Sequence, residues 1–181
     1  MNSKPHMTGN RGSALVISLI ILLVMTLIGI TSMNTSIMEE RMAGNMHNRN
    51  LAFQAAESAL RKGEAWIAAQ TTLPDVSTDG SSGIWDVAAA DPDTTNNKAW
   101  WEESTRDGSW WTSNAVANSG GDTISGVAAQ PAYVVEELPP ISGSLEAGLP
   151  VDNKDIYLQV TARGVGGDGT AVVLLQSTYK W

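Results

Sequence analysis

Residues 13–70 read SALVISLIILLVMTLIGITSMNTSIMEERMAGNMHNRNLAFQAAESALRKGEAWIAAQ, and the division of this run decides the fold. Its first part, Ser13 to Met33, contains no Asp, Glu, Lys or Arg. As a helix rising about 1.5 Å per residue, these 21 residues cover roughly 30 Å, the hydrocarbon thickness of a bilayer. A secretory signal would show a shorter apolar run of about 7–15 residues with a small-residue cleavage site beyond it. Neither feature is present. Lys4 and Arg11 precede the span, and Glu39, Glu40 and Arg41 follow it, so the basic excess places the N-terminus in the cytoplasm and the C-terminus outside. A single-pass anchor that is never cut is the plainest reading of the span by itself.

Two features argue for more than an anchor. Arg11-Gly12 stands directly before the apolar run, which puts any processing point on its cytoplasmic side. The helical pattern also continues past the membrane. Met38, Met42, Met46, Arg49, Phe53, Ala56, Leu60, Gly63 and Ile67 recur at spacings of 4 and 3, one stripe of an amphipathic helix. Glu57 and Arg61 form an i, i+4 pair on another face. No proline follows until Pro74, so the combined helix would reach roughly 80 Å if unbroken.

The 181 residues allow one ordinary domain beyond this helix. A net charge of −8, with the acidic excess beyond Leu73, argues against nucleic acid as a partner, because neutralising phosphates takes a basic patch. With no cysteine in the chain, disulfides, zinc ribbons and thiol nucleophiles are excluded. His6 and His47 lie in the leader and the stem, so the head has no Ser-His-Asp set or histidine metal cluster, and no catalytic, cofactor or metal residue is assigned.

Residues 71–83 (TTLPDVSTDGSSG) are polar and turn-rich and begin the head. Between 84 and 131 periodicity is weak, with short helices or irregular loops expected. Two doublets stand out there, Trp100-Trp101 and Trp110-Trp111. Adjacent side chains point to opposite faces of a strand and about 100° apart on a helix, so one of each pair sits at a boundary or in solvent. The structural reading packs these tryptophans between head and stem. The functional one makes them anchors for a partner protein, since Trp is enriched at interface hot spots. From 132 to 181 the chain reads as strands: AYVVEEL, then IYLQVTAR and TAVVLLQSTYKW around the turn GVGGDG. The glycine turn joins strand to strand, which excludes a phosphate loop. Asp152, Asp155 and Asp168 match no calcium-loop spacing and read as solvated carboxylates. A long N-terminal helix packed on a C-terminal antiparallel sheet is an α+β arrangement that buries the stripe.

RGSALVISLIILLVMTLIGI, the block TSIMEERMAGNMHNRNLAFQAAESALRKGE and the tail YLQVTARGVGGDGTAVVLLQSTY together resemble the type IV pilins, and within them the PilX-type minor pilins. The likeness covers roughly half the chain; residues 73–155 do not carry it. It implies the pilin fold and four parts: a leader at 1–12, a membrane and fibre-core helix at 13–33, an amphipathic stem at 34–70 and a head at 71–181. It further implies a prepilin peptidase that cuts between Gly12 and Ser13 and methylates Ser13, although Ser13 departs from the family's usual phenylalanine. Most such chains carry a glutamate at the fifth mature position, which here is Ile17; that carboxylate pairs with a neighbour's amine inside the membrane. A chain without it suits the first-laid position at the fibre tip. A helix-breaking proline common in the family is absent near Asn34, yet the polar cluster Thr26, Gly29, Thr31, Ser32, Asn34, Thr35 and Ser36 is a candidate stretch for melting in the fibre. The implied partners are the other minor pilins, the major pilin and a large tip adhesin, with the inner membrane as host before assembly and twitching motility, adhesion and surface attachment as the outcome. The competing readings are a minor pseudopilin of type II secretion and an envelope protein that never polymerises.

Overall fold

The computed structural model of the chain describes residues 11–139 and 156–181. Helix α1 (Arg11–Ala68) runs without interruption, and the chain resolves into two compact units, 1–45 and 46–181. Ser13–Ala68 is the one helix among the described residues long and apolar enough to cross a membrane. Through the span, hydroxyls that compete with helical bonding elsewhere turn back on the helix: Thr26 donates to the Leu23 carbonyl, Thr31 to those of Leu27 and Ile28, and Thr35 to that of Thr31. The polar cluster is therefore helical here. Glu57 and Arg61 form the expected ion pair.

The second unit places the last turns of α1 on a four-stranded antiparallel sheet of order β1-β2-β3-β4. The strands are β1 (Val116–Ala117), β2 (Ala132–Glu137), β3 (Tyr157–Val165) and β4 (Val172–Lys180). β3 and β4 pair from Tyr157↔Lys180 to Val165↔Val172 around the glycine turn. β2 pairs with β3 from Ala132↔Arg163 to Glu137↔Leu158. The outer edge of β2 is covered twice. β1 covers one end, and at the other Trp85 donates its N–H to the Val135 carbonyl while its own carbonyl accepts from Glu137. β3 is legible as an alternating run and β2 and β4 as apolar, β-branched ones; β1 has only two residues and no pattern to betray it.

Burial corrects the stripe. Ala56, Gly63 and Ile67 are buried and Leu60 half-buried, but Met38, Met42, Met46, Arg49 and Phe53 are exposed. The buried face is instead Asn48, Ala52, Ala55, Ala56, Ala59, Gly63 and Ile67, mostly small residues. Backbone approach dictates this choice. A Cβ on Gly164 of β3 would fall on the backbone of Ala52 and Ala56, and one on Gly63 would stand 2.6 Å from Val160 Cγ1. Large apolar residues could not occupy that contact. The helix-facing core joins Ala59 and Ile67 to Ile84, Tyr133, Val135, Leu158, Val160 and Ala162.

Polar ties fix the ends of this packing. Asn48 donates to the Asp168 carboxylate and accepts from the Asp168 N–H, so α1 holds the β3–β4 turn. Asp168 also accepts from the Thr170 N–H and hydroxyl, at 2.9 and 2.8 Å. It is a turn-capping carboxylate rather than merely a solvated one. Asp152 and Asp155 lie outside the described residues. Asn118, just after β1, donates to Ser58 Oγ at 3.1 Å, and Lys62 pairs with Asp122 at 3.1 Å.

A tryptophan layer as the candidate interaction surface

Strand alternation sends Tyr133 and Val135 toward α1, and Ala132, Val134 and Glu136 toward the other face. That second face is where the tryptophans pack. Trp85, Trp100 and Trp111 join Ala90, Ala132 and Val134 in one buried cluster, with Trp101, Trp110 and Leu174 half-buried against it. The doublets therefore do not pack head against stem; they cover the sheet face that α1 leaves bare. The alternation argument within each doublet holds. Trp100 and Trp111 are 4% and 3% exposed, while Trp101 and Trp110 stand at the boundary.

Local structure sets this split. Trp100 and Trp101 lie in a single 3-10 turn, Trp100–Glu102, and their rings meet edge to face at 5.5 Å. Trp110 and Trp111 lie in the short helix α2 (Gly108–Asn114), whose N-cap Asp107 accepts from the N–H groups of Ser109 and Trp110. Trp100 stacks on Trp111 at 5.7 Å, and Trp110 touches Trp85, Trp100 and Trp111 at 5.3–5.8 Å. Such pairs contribute about 0.5–1.5 kcal/mol each beyond their burial. Arg106 lies 4.6 Å over the Trp110 ring and donates from Nε to the Ala90 carbonyl, closing the outer side of the layer.

Within this layer sits a charge that sequence reasoning passed over. Glu136 is 8% exposed and accepts a 2.6 Å hydrogen bond from Trp100 Nε1. The signal is present in AYVVEEL. Period-2 alternation puts Glu136 in one row with Ala132 and Val134, so an acid there points inward. Burial pushes its carboxyl above the ordinary value near 4.5; the indole hydrogen bond opposes the rise and the Asp91 charge adds to it. The folded chain thus holds this proton to higher pH than the unfolded chain does. Stability falls as pH rises from about 4.5 through the folded value. Glu136→Gln keeps an acceptor for Trp100 and removes the charge. At pH 8 the full-length variant in detergent is expected to melt roughly 2–4 °C above wild type, followed by circular dichroism, with the difference vanishing below pH 4. An equal offset at both pH values would contradict the buried charge.

The other sequence-assigned positions lie in α1. Gly12 and Ser13 are in its first turn, and Ile17 is 56% exposed on an apolar surface. Among the described residues no group of His, Asp or Glu is arranged to hold a metal ion.

Searches of curated proteins and of solved structures return no match. Two family profiles match instead. The profile described as PilX N-terminal covers residues 11–61, the apolar span and most of the stem, and that described as type IV pilus assembly protein PilX C-term covers residues 81–180, the tryptophan layer and all four strands. Spanning both the helix and the head built on it, these matches make the chain a member of the PilX family of type IV pilus assembly proteins.

Proposed function

We propose that the chain is a minor pilin that helps to initiate the pilus and stays at its tip, supporting twitching motility, adhesion and surface attachment. It waits in the inner membrane with its N-terminus cytoplasmic, is cut after Gly12 and methylated on Ser13, and becomes extracellular on assembly. Its partners are the other minor pilins, the major pilin and a large tip adhesin. Ile17 is the observation that carries the tip assignment. It stands exposed in a span without an ionisable side chain from Ser13 to Met38. An unpaired carboxylate in lipid costs at least a few kcal/mol, so a subunit lacking one is stable with no neighbour ahead of it. The same subunit offers no carboxylate to a neighbour's amine, which disfavours the shaft.

Cleavage is the direct test of the family chemistry. Wild type should lose its first 12 residues only where the peptidase is present, with a methylated Ser13 by mass spectrometry. Gly12→Leu should leave the chain at full length and absent from sheared pili. Tip priming is tested by Ile17→Glu, which should lower the number of pili and spread the protein along the shaft. Normal piliation with tip-only labelling of that variant would refute the role given to Ile17.

A further inference from the structure

The Glu136 carboxylate opens onto a cleft of about 260 Å³ whose lining includes Asp91, Lys98, Trp100, Trp101 and Glu137. That is below the roughly 300–1,000 Å³ of a pocket for a drug-sized ligand, and matches a side chain better than a free cofactor. Three carboxyl groups and one ammonium line it, so the cleft is acidic. Neither nearby cation pairs with Glu136 among the described residues. Lys98 lines the rim as an exposed side chain, and Arg106 lies over Trp110 and bonds to the Ala90 carbonyl. Glu136 has no ion pair among the described residues. Only Oε2 is hydrogen-bonded, to a neutral indole, and Oε1 has no partner among them. A carboxylate this buried without a counter-charge is destabilising unless something supplies one. The half-buried Trp101 ring stands beside it as a wall, the surface on which a guanidinium or ammonium stacks favourably.

We propose that this cleft receives an arginine or lysine side chain from a neighbouring subunit, paired with Glu136 and stacked on Trp101. The inference rests on the reading of the chain as a subunit that assembles, and adds to it the chemistry of one contact. The cleft supplies the feature that the membrane helix lacks at Ile17, a carboxylate placed to be met by another chain's cation, but in the head. A neutral or anionic side chain in the same cleft would leave Glu136 unpaired, and that difference gives the contact its specificity.

The test uses the full chain in detergent micelles with ¹⁵N-labelled indoles. It is titrated with the capped peptides Ac-Gly-Arg-Gly-NH₂ and Ac-Gly-Lys-Gly-NH₂. The citrulline peptide, a neutral arginine isostere, and the glutamate peptide serve as controls. The indole N–H signals of Trp100 and Trp101 should shift saturably with the cationic peptides, with a Kd on the order of 1 mM. Glu136→Gln should weaken this at least tenfold while its near-ultraviolet circular dichroism stays that of wild type. Trp101→Ala should weaken arginine binding more than lysine binding. Equal shifts from the citrulline peptide, unchanged binding by Glu136→Gln, or no shift from either cation would overturn the proposal. None of those results bears on cleavage after Gly12 or on recovery in sheared pili, so the minor-pilin reading stands or falls separately.

Discussion

Gly164→Ala should abolish most of the head's stability although it adds a single methyl group. The new Cβ would overlap the Ala52 carbonyl and the Ala56 backbone N–H, which belong to the rigid hydrogen-bond ladder of α1 and cannot rotate aside. Overpacking against movable side chains costs about 1–3 kcal/mol, and here the obstacle is main chain. Relief requires α1 to lift from β3. That movement separates Gly63 from Val160 and Tyr133 and pulls Asn48 away from the β3–β4 turn. The expected loss exceeds ~4 kcal/mol, in the range reserved for disruption of a core. Thermal unfolding of the full chain in detergent should show the head transition lowered by more than about 10 °C or missing at 25 °C. The control is Gly44→Ala in the same helix, where nothing lies within 4 Å of the added atom. It should leave the head transition unchanged, and it adds up to about 1 kcal/mol of helix propensity. A Gly164→Ala chain that melts with wild type would disprove the close helix–sheet contact.

The same contact determines which parts of the molecule are legible in its sequence. The apolar run and its continuation disclose α1, because a 3.6-residue period sustained over tens of residues belongs to a helix and to little else. β3 is disclosed by alternation, β2 and β4 by β-branched apolar runs, and the β3–β4 pairing by the glycine turn between Val165 and Val172. The phase of the stem is not, because hydrophobicity is a poor mark of burial there. Met38, Met42 and Met46 carry the strongest apolar signal and stay exposed, while alanine and glycine occupy the contact. Size, not polarity, selects residues where two backbones nearly touch. β1 and the Trp85 bridge are silent because a strand of two residues, or one, has no period. The place of the tryptophans on the far face of the sheet is equally hidden. It depends on α2 and a 3-10 turn folding back over β2, a long-range arrangement that a doublet does not encode. Gly12, Ser13 and Ile17, by contrast, are reached only through resemblance, and their geometry in α1 adds nothing to that.

The buried Trp111 of one doublet and the boundary Trp101 of the other should respond oppositely, and the contrast decides what the layer is for. Trp111 is buried against Trp100 and Trp110 on the sheet face formed by Ala132 and Val134. Trp111→Ala leaves a cavity that neighbouring indoles cannot fill without losing their own contacts, at a cost of about 3–5 kcal/mol. Its near-ultraviolet circular dichroism should collapse and its unfolding midpoint in urea should fall sharply. Trp101 is half-buried and meets the layer chiefly through the edge of Trp100. Trp101→Ala gives up about 0.5–1.5 kcal/mol of ring contact together with partial burial, and the head should remain folded. A double Trp100/Trp101 replacement would mix these effects, since Trp100 also supplies the hydrogen bond to Glu136. Only the single Trp101 variant can therefore report on partner capture without reporting on folding. If Trp111→Ala unfolds like wild type, the layer is not a core, and the case for all four doublet tryptophans as partner anchors strengthens. If Trp111→Ala unfolds the head and Trp101→Ala stays folded but loses its neighbours in the fibre, the layer divides its labour as its burial indicates: Trp111 holds the sheet face, and Trp101 is left for a second chain.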